Sequence, residues 1–322
     1  MAIRPTIVTG AAGFAGGHLL DRLADRGPLV GWHRPGGMPP QHAPGTVWEA
    51  VDLLDAVAVR QVVASRRPAR IYQLAGMSHI GASWRSSLEP LRVHVLGTHH
   101  LLDAVRRAAP DCRVLVVSSA TIYRPGDRPI DEATPFGPSS PYALSKLGQD
   151  QLALETVRTD GMDVAIARPF NHAGPRQNPL FAISSFARQI AAIERGGVPP
   201  EIHVGNLEAR RDLTDVRDTV EAYERIMDAA PSGRPFNVCS GVSYRIGDLL
   251  DRLIARSSTP VRVVEDADRM RPIDIPVLTG DGSRLRSELG WTPSRSIDTL
   301  LTDALDWWRQ ELRGTDRIAA QG

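Results

Sequence analysis

The stretch TIVTGAAGFAGGHLLDRLADRG, Thr6 to Gly27, decides the fold. It is a short β-branched strand, a glycine turn and an amphipathic helix in succession. Gly10, Gly13 and Gly16 let the chain turn tightly and let the backbone approach a pyrophosphate, whose charge the helix N-terminus favours. With Phe14 and Ala15, which open the helix, they form an expected dinucleotide cradle. Glycine spacing alone is a weak signal, and the strand–turn–helix order around it is what carries the reading.

Working outward, apolar runs alternate with helical patterns: LVGW, Asp55–Ser65, RIYQLA, Ser86–Ala109, RVLVVSS, Ser139–Thr159 and VAIARP. This predicts an α/β fold, a Rossmann-type doubly wound parallel sheet with helices on both faces. After Pro169 the pattern loosens and prolines punctuate it, which predicts a smaller, mixed α/β C-terminal substrate domain. The expected division gives residues 1–170 to the cofactor, with 212–238 returning to the sheet, and assigns 171–211 and 239–322 to the substrate. The tail after Trp308 is expected to fray.

Of the 322 residues 42% are hydrophobic and 23% charged, ordinary for a globular chain with a sizeable core. Thirty-eight basic side chains stand against 37 acidic, with no long run of either sign, so neither nucleic acid nor a membrane surface is an expected partner. The first strand is expected to begin at Pro5, so no leader is expected, and no apolar window reaches membrane length. Cys112 and Cys239 lie far apart without Cys or His neighbours at ligand spacing, which predicts buried thiols, no metal site and a cytoplasmic location. His99 and His100 lack a third ligand, and Trp307 and Trp308 read as packing.

The second strand ends in GWHRPGG, with His33 and Arg34 where an NAD-selective site places an acid. The planar fork of Arg34 suits a 2′-phosphate, so NADP(H) is preferred and NAD(H) remains possible. Asp52 and Leu53 fall where adenine would lie. Leu74, Ala75 and Gly76 reach another strand end beside the cofactor. A later strand opens into SSATIY, Ser118 to Tyr123, which offers hydroxyls and no acid. Tyr142 and Lys146 are four apart on one helical face. An ammonium there, with a cationic nicotinamide, would lower the phenol pKa from about 10 toward neutrality. Ser119 would then bind the same substrate oxygen.

TGAAGFAGG, SSATIY and YALSK at these spacings resemble the extended short-chain dehydrogenases/reductases over nearly the whole chain. The resemblance implies Ser119, Tyr142 and Lys146 as catalytic, the last two also touching the cofactor. ARPFNHAGP, VGNLEARRDLTDVRD and RMRPIDIPVLTGD resemble the GDP-sugar branch that contains GDP-mannose 4,6-dehydratase and GDP-4-keto-6-deoxy-mannose reductase. That implies a GDP-sugar substrate clamped by Arg211 and Arg271, with Asn206 and Leu207 by the nucleotide and Asn171 and His172 by the sugar and diphosphate. Ser78, His79, Ala120, Thr121, Arg188 and Asp274 complete the implied substrate set. It also implies a homodimer formed through the helices near 93–109 and 142–158. Two residues depart from the pattern: His94 replaces an Asn, and Arg124 a Gly.

Dehydratases of this branch carry a Glu two residues after the catalytic Ser or Thr, and here that residue is Thr121, which has no titration near neutrality. Asp127 is the nearest carboxylate downstream, and Glu132 is a more distant one. The expected activity is NADPH-dependent reduction of the 4-keto group of GDP-4-keto-6-deoxy-mannose to a GDP-6-deoxyhexose such as GDP-rhamnose. GDP-mannose 4,6-dehydration and C4 epimerisation are the alternatives, and a non-enzymatic NADP(H)-binding sensor is a remote one.

Overall fold

The computed structural model describes residues 3–37, 39, 43, 45–78, 83–84, 86–270 and 275–319. The chain opens with β1 (Thr6–Thr9), α1 (Phe14–Leu23), β2 (Leu29–His33), β3 (Thr46–Ala50), α2 (Ala56–Arg66) and β4 (Arg70–Gln73). A helical turn at Leu88–Leu91 and a π turn at Arg92–Leu96 lead into α3 (Gly97–Ala108), so the single helix expected over Ser86–Ala109 is interrupted. β5 (Arg113–Val117), α4 (Pro141–Asp160) and β6 (Val164–Pro169) follow. Next come β7 (Asn171–Ala173), α5 (Ala182–Arg195), β8 (Glu201–Val204), β9 (Arg210–Asp215), α6 (Val216–Ala229) and β10 (Pro235–Val238). The chain closes with β11 (Ser243–Arg245), α7 (Ile246–Ile254), β12 (Arg262–Glu265), β13 (Val277–Leu278), α8 (Ser283–Leu289) and α9 (Ile297–Ala319).

Seven strands form one parallel sheet in the order β10-β6-β5-β4-β1-β2-β3. Both faces are covered, which is why its central strands read as continuous apolar runs. Val8, Leu115, Val117 and Ala167 pack toward α1 and α6, while Ile7, Val114, Val116 and Ile166 pack toward α2, α3 and α4. The chain order reverses between β1 and β4, and the crevice at that switch point is where such sheets bind ligands. β3, absent from the predicted elements, is one of the two edge strands. Its residues are exposed or half-buried, so it lacks the apolar run that marks the others.

Beyond β6, β9 pairs with β7, β11 and β13, and β8 pairs with β12. Their core includes Phe186, Ile190, Leu249 and Leu301, so α5, α7 and α9 share it. α9 continues past Trp308 to Ala319, where sequence predicted fraying. Local signals fix the helix that matters most. Ser140 caps α4 by accepting the Ala143 N–H at 3.1 Å, Pro141 takes the first turn, and Gly161 ends the helix at φ +64°.

Candidate active site

The glycine turn has the shape its sequence requires. Gly10 sits at φ +67°, and a Cβ there would come 2.8 Å from the Ala75 backbone. A Cβ on Gly16 would collide with the Gly10 carbonyl. Gly13 caps α1 without a side-chain acceptor, which leaves the first N–H groups, beginning at Phe14 and Ala15, for a ligand's phosphates. The residues therefore fit a dinucleotide.

At the end of β2, His33 Nδ1 lies 3.0 Å from the Arg34 carbonyl and its ring meets Trp48 edge-on, while Arg34 is exposed. Asp52, also exposed, accepts the Leu54 N–H, and Leu53 is buried with its carbonyl 2.8 Å from His100 Nδ1. At the end of β4, Ala75 donates its N–H to Thr9 Oγ1 at 3.1 Å, which ties Leu74, Ala75 and Gly76 to the tip of β1.

The tip of β5 carries the candidate reactive groups. Ser119 caps the short turn Ala120–Ile122, and its Oγ lies 3.0 Å from Thr121 Oγ1. α4 brings Tyr142 to the cleft beside Ser119. Burial pushes the Tyr142 phenol up to about 12, and the neighbouring Ser119 hydroxyl offsets this only in part. Lys146 Nζ donates to the Val117 carbonyl and to Gln149 Oε1, both at 2.8 Å, and burial pulls its pKa down to about 7 against the opposing charge of Asp150. Without a cofactor, burial thus holds the Tyr142 phenol above its ordinary range, and the lowering expected from a cationic nicotinamide belongs to the cofactor-bound protein. Gln149, which sequence reasoning missed, holds Lys146 from one helical turn away and also donates to Thr98 Oγ1.

α4 itself is anchored by a buried network. Arg168 on β6 makes a bidentate pair with Asp150 at 2.9 and 2.7 Å and donates to Tyr123 Oη, which donates to Asn237. Arg168 and Asp150 are 2% and 0% exposed. Glu132 belongs to this region and not to the cleft: it accepts the Asn237 N–H at 2.8 Å and lies 3.4 Å from Arg284. Asp127 is exposed on the following loop.

On the substrate side, His172 stacks on Phe14 at 5.9 Å, which joins β7 to the cofactor turn, and burial lowers its pKa. The neighbouring Asn171 is exposed and its carbonyl accepts from Thr214. Asn206 accepts the Glu208 N–H, and half-buried Leu207 packs on the adjoining core. Arg211 donates to the carbonyls of Arg210 and Ile275 at 2.8 and 2.6 Å. The guanidinium of Arg188, on α5, lies 5.7 Å from the centroid of the Trp308 ring on α9. Ser78 is exposed just after the β4 turn. His79, Arg271 and Asp274 lie outside the described residues.

A Rossmann sheet with a glycine cradle at the switch point, and with Ser, Tyr and Lys converging at the tip of β5, defines an extended short-chain dehydrogenase/reductase. The chain belongs to the GDP-mannose 4,6 dehydratase family, whose model matches residues 7–304. It is 33% identical over 309 residues to GDP-6-deoxy-D-mannose reductase from Pseudomonas aeruginosa, covering 95% of this chain and 97% of that protein. Among solved structures it resembles RMD from Pseudomonas aeruginosa complexed with NADPH, at TM-score 0.83 and 31% identity over 96% of this chain and 99% of that one. It also resembles MoeE5 in complex with UDP-glucuronic acid and NAD, at TM-score 0.84 and 26% identity over 95% and 99%.

Proposed function

We propose that the protein is an NADPH-dependent 4-ketoreductase acting on GDP-4-keto-6-deoxy-mannose to give a GDP-6-deoxyhexose such as GDP-rhamnose. One observation carries this reading: the reactive cleft holds the Tyr142 phenol and two hydroxyls, Ser119 and Thr121, while the downstream carboxylates Glu132 and Asp127 are turned to other work or to solvent. Elimination at C5 and C6 needs a base and an acid beyond those groups, whereas ketone reduction needs one hydride and one proton. When bound, the reduced nicotinamide supplies the hydride to the C4 carbonyl carbon. Tyr142 gives its proton to the resulting C4 oxygen, Ser119 holds that oxygen, and Lys146 binds the nicotinamide ribose. The relatives support the same substrate class and cofactor.

Residues 1–170 with 212–238 would then carry the cofactor, and 171–211 with 239–322 the GDP-sugar. Arg34 would select NADP(H) through the 2′-phosphate. Arg211 and Arg271 would grip the diphosphate, with Asn206, Leu207, Asn171 and His172 around the nucleotide and sugar. A homodimer through the π turn with α3 and through α4 is supported by Leu96 and Leu144, 42% and 51% exposed on the π turn and on α4. Both cysteines are free and buried, and no helix among the described residues is long and apolar enough to cross a membrane, in keeping with work in the cytoplasm. Pure protein given GDP-4-keto-6-deoxy-mannose and NADPH should oxidise one NADPH per 6-deoxyhexose formed. Given GDP-mannose and NADP⁺, it should form no 4-keto sugar, and robust dehydration there would replace this reading with the dehydratase one.

A further inference from the structure

The turn after β4 and the helix that carries Tyr142 meet on one side chain, His94. It lies in the π turn and is fully buried. Nε2 accepts the Met77 N–H at 3.1 Å, and Nδ1 lies 2.8 Å from Ser145 Oγ. The Ser145 hydroxyl donates to the Tyr142 carbonyl at 2.7 Å, so the hydrogen between Ser145 and His94 must come from Nδ1. A single neutral tautomer satisfies every one of these bonds. The imidazole also stands edge-on to the Tyr142 ring, with centroids 5.6 Å apart and planes at 83°. A Cβ on Gly76 would come within 2.6 Å of Nε2, so the ring fills the space that keeps position 76 a glycine. Burial and the nearby Lys146 charge hold the imidazole pKa down to about 2, which keeps the ring neutral at any working pH.

We propose that His94 is a positioning residue with two separable tasks: its ring walls the Tyr142 phenol in place, and its Nε2 holds the Leu74–Met77 turn in the shape that receives the cofactor. The inference deepens the reductase reading and rests on it. Side chains with only one of the two features divide the tasks. Phenylalanine keeps the ring and loses the acceptor. Glutamine loses the ring but brings an amide oxygen to the Nε2 position.

The test measures the NADPH dissociation constant by nicotinamide fluorescence without sugar, and kcat with the 4-keto sugar, for His94→Phe and His94→Gln. His94→Phe should weaken NADPH about tenfold and leave kcat within about threefold, as expected when one buried N–H loses its acceptor. His94→Gln should do the reverse, with kcat down about tenfold and NADPH affinity within about twofold. Ser145→Ala frees the tautomer and should give a milder form of the His94→Phe result, which keeps the proposal testable if the ring variants fold poorly. Parallel losses of both constants in both ring variants, tracking a fall in unfolding temperature, would show that His94 only packs and would overturn the proposal, as would wild-type values throughout. A wild-type protein that binds NADPH but does not reduce the keto sugar refutes the reductase reading instead, and the NADPH constants still report on the Met77 task.

Discussion

At the tip of β5 the functional side chains are held by main chain and by one another. Lys146 is fixed by the Val117 carbonyl and Gln149, Ser119 by its own turn, and the helix beneath them by the Asp150–Arg168 pair. Across the cleft the proposed substrate groups sit on short strands and loops. Arg211 reaches the carbonyl of Ile275, and Asn206 closes its own turn. The first region is preorganised for one transfer, and the second is a surface that can be retuned for a different sugar nucleotide. The contrast predicts that changes at the β5 tip act on kcat or on folding, and that changes across the cleft act on KM.

The largest effect should come from Tyr142→Phe. It deletes the proton donor and keeps the ring, so kcat should fall about a thousandfold, within the usual range for general acid catalysis, with NADPH affinity unchanged. Near-wild-type turnover would remove Tyr142 from the mechanism. Asp150→Ala leaves the Arg168 guanidinium buried without its partner and should cost about 3–5 kcal/mol of stability, read by denaturant unfolding. A loss below about 1 kcal/mol, the value of a surface pair, would mean that the network does not anchor α4.

Across the cleft, Arg211→Ala should raise the KM for the GDP-sugar about tenfold at nearly constant kcat, as loss of uniform binding does. A matching fall in kcat would erase the contrast between the two regions. Arg34→Ala should weaken NADPH about tenfold and NADH hardly at all, since one charge-assisted contact serves the extra phosphate. Equal effects on the two cofactors would assign Arg34 to structure.

The same contrast explains what the sequence made legible. β1, α1 and α4 followed from local signals: strand residues, glycines that sterics demand, and helical periodicity. Ser119, Tyr142 and Lys146 could be placed because strand end and helix register set their positions. β3 escaped because an edge strand with half-buried residues has no apolar run. The π turn at Arg92–Leu96 carries no signature in its side-chain pattern. Partners set by tertiary contact were beyond reach. Nothing in YALSK says that Lys146 turns to Val117, nothing local sends Glu132 to the Asn237 N–H, and nothing near Arg188 announces Trp308.

The central claim, that this cleft performs a single hydride and proton transfer to C4, is tested most directly by isotope. NADPH carrying deuterium at the transferable position of the nicotinamide should place one deuterium at C4 of the 6-deoxyhexose for each cofactor oxidised, as seen by NMR of the purified product. A product without deuterium at C4, or label that returns to the cofactor while the sugar merely inverts or dehydrates, would contradict it.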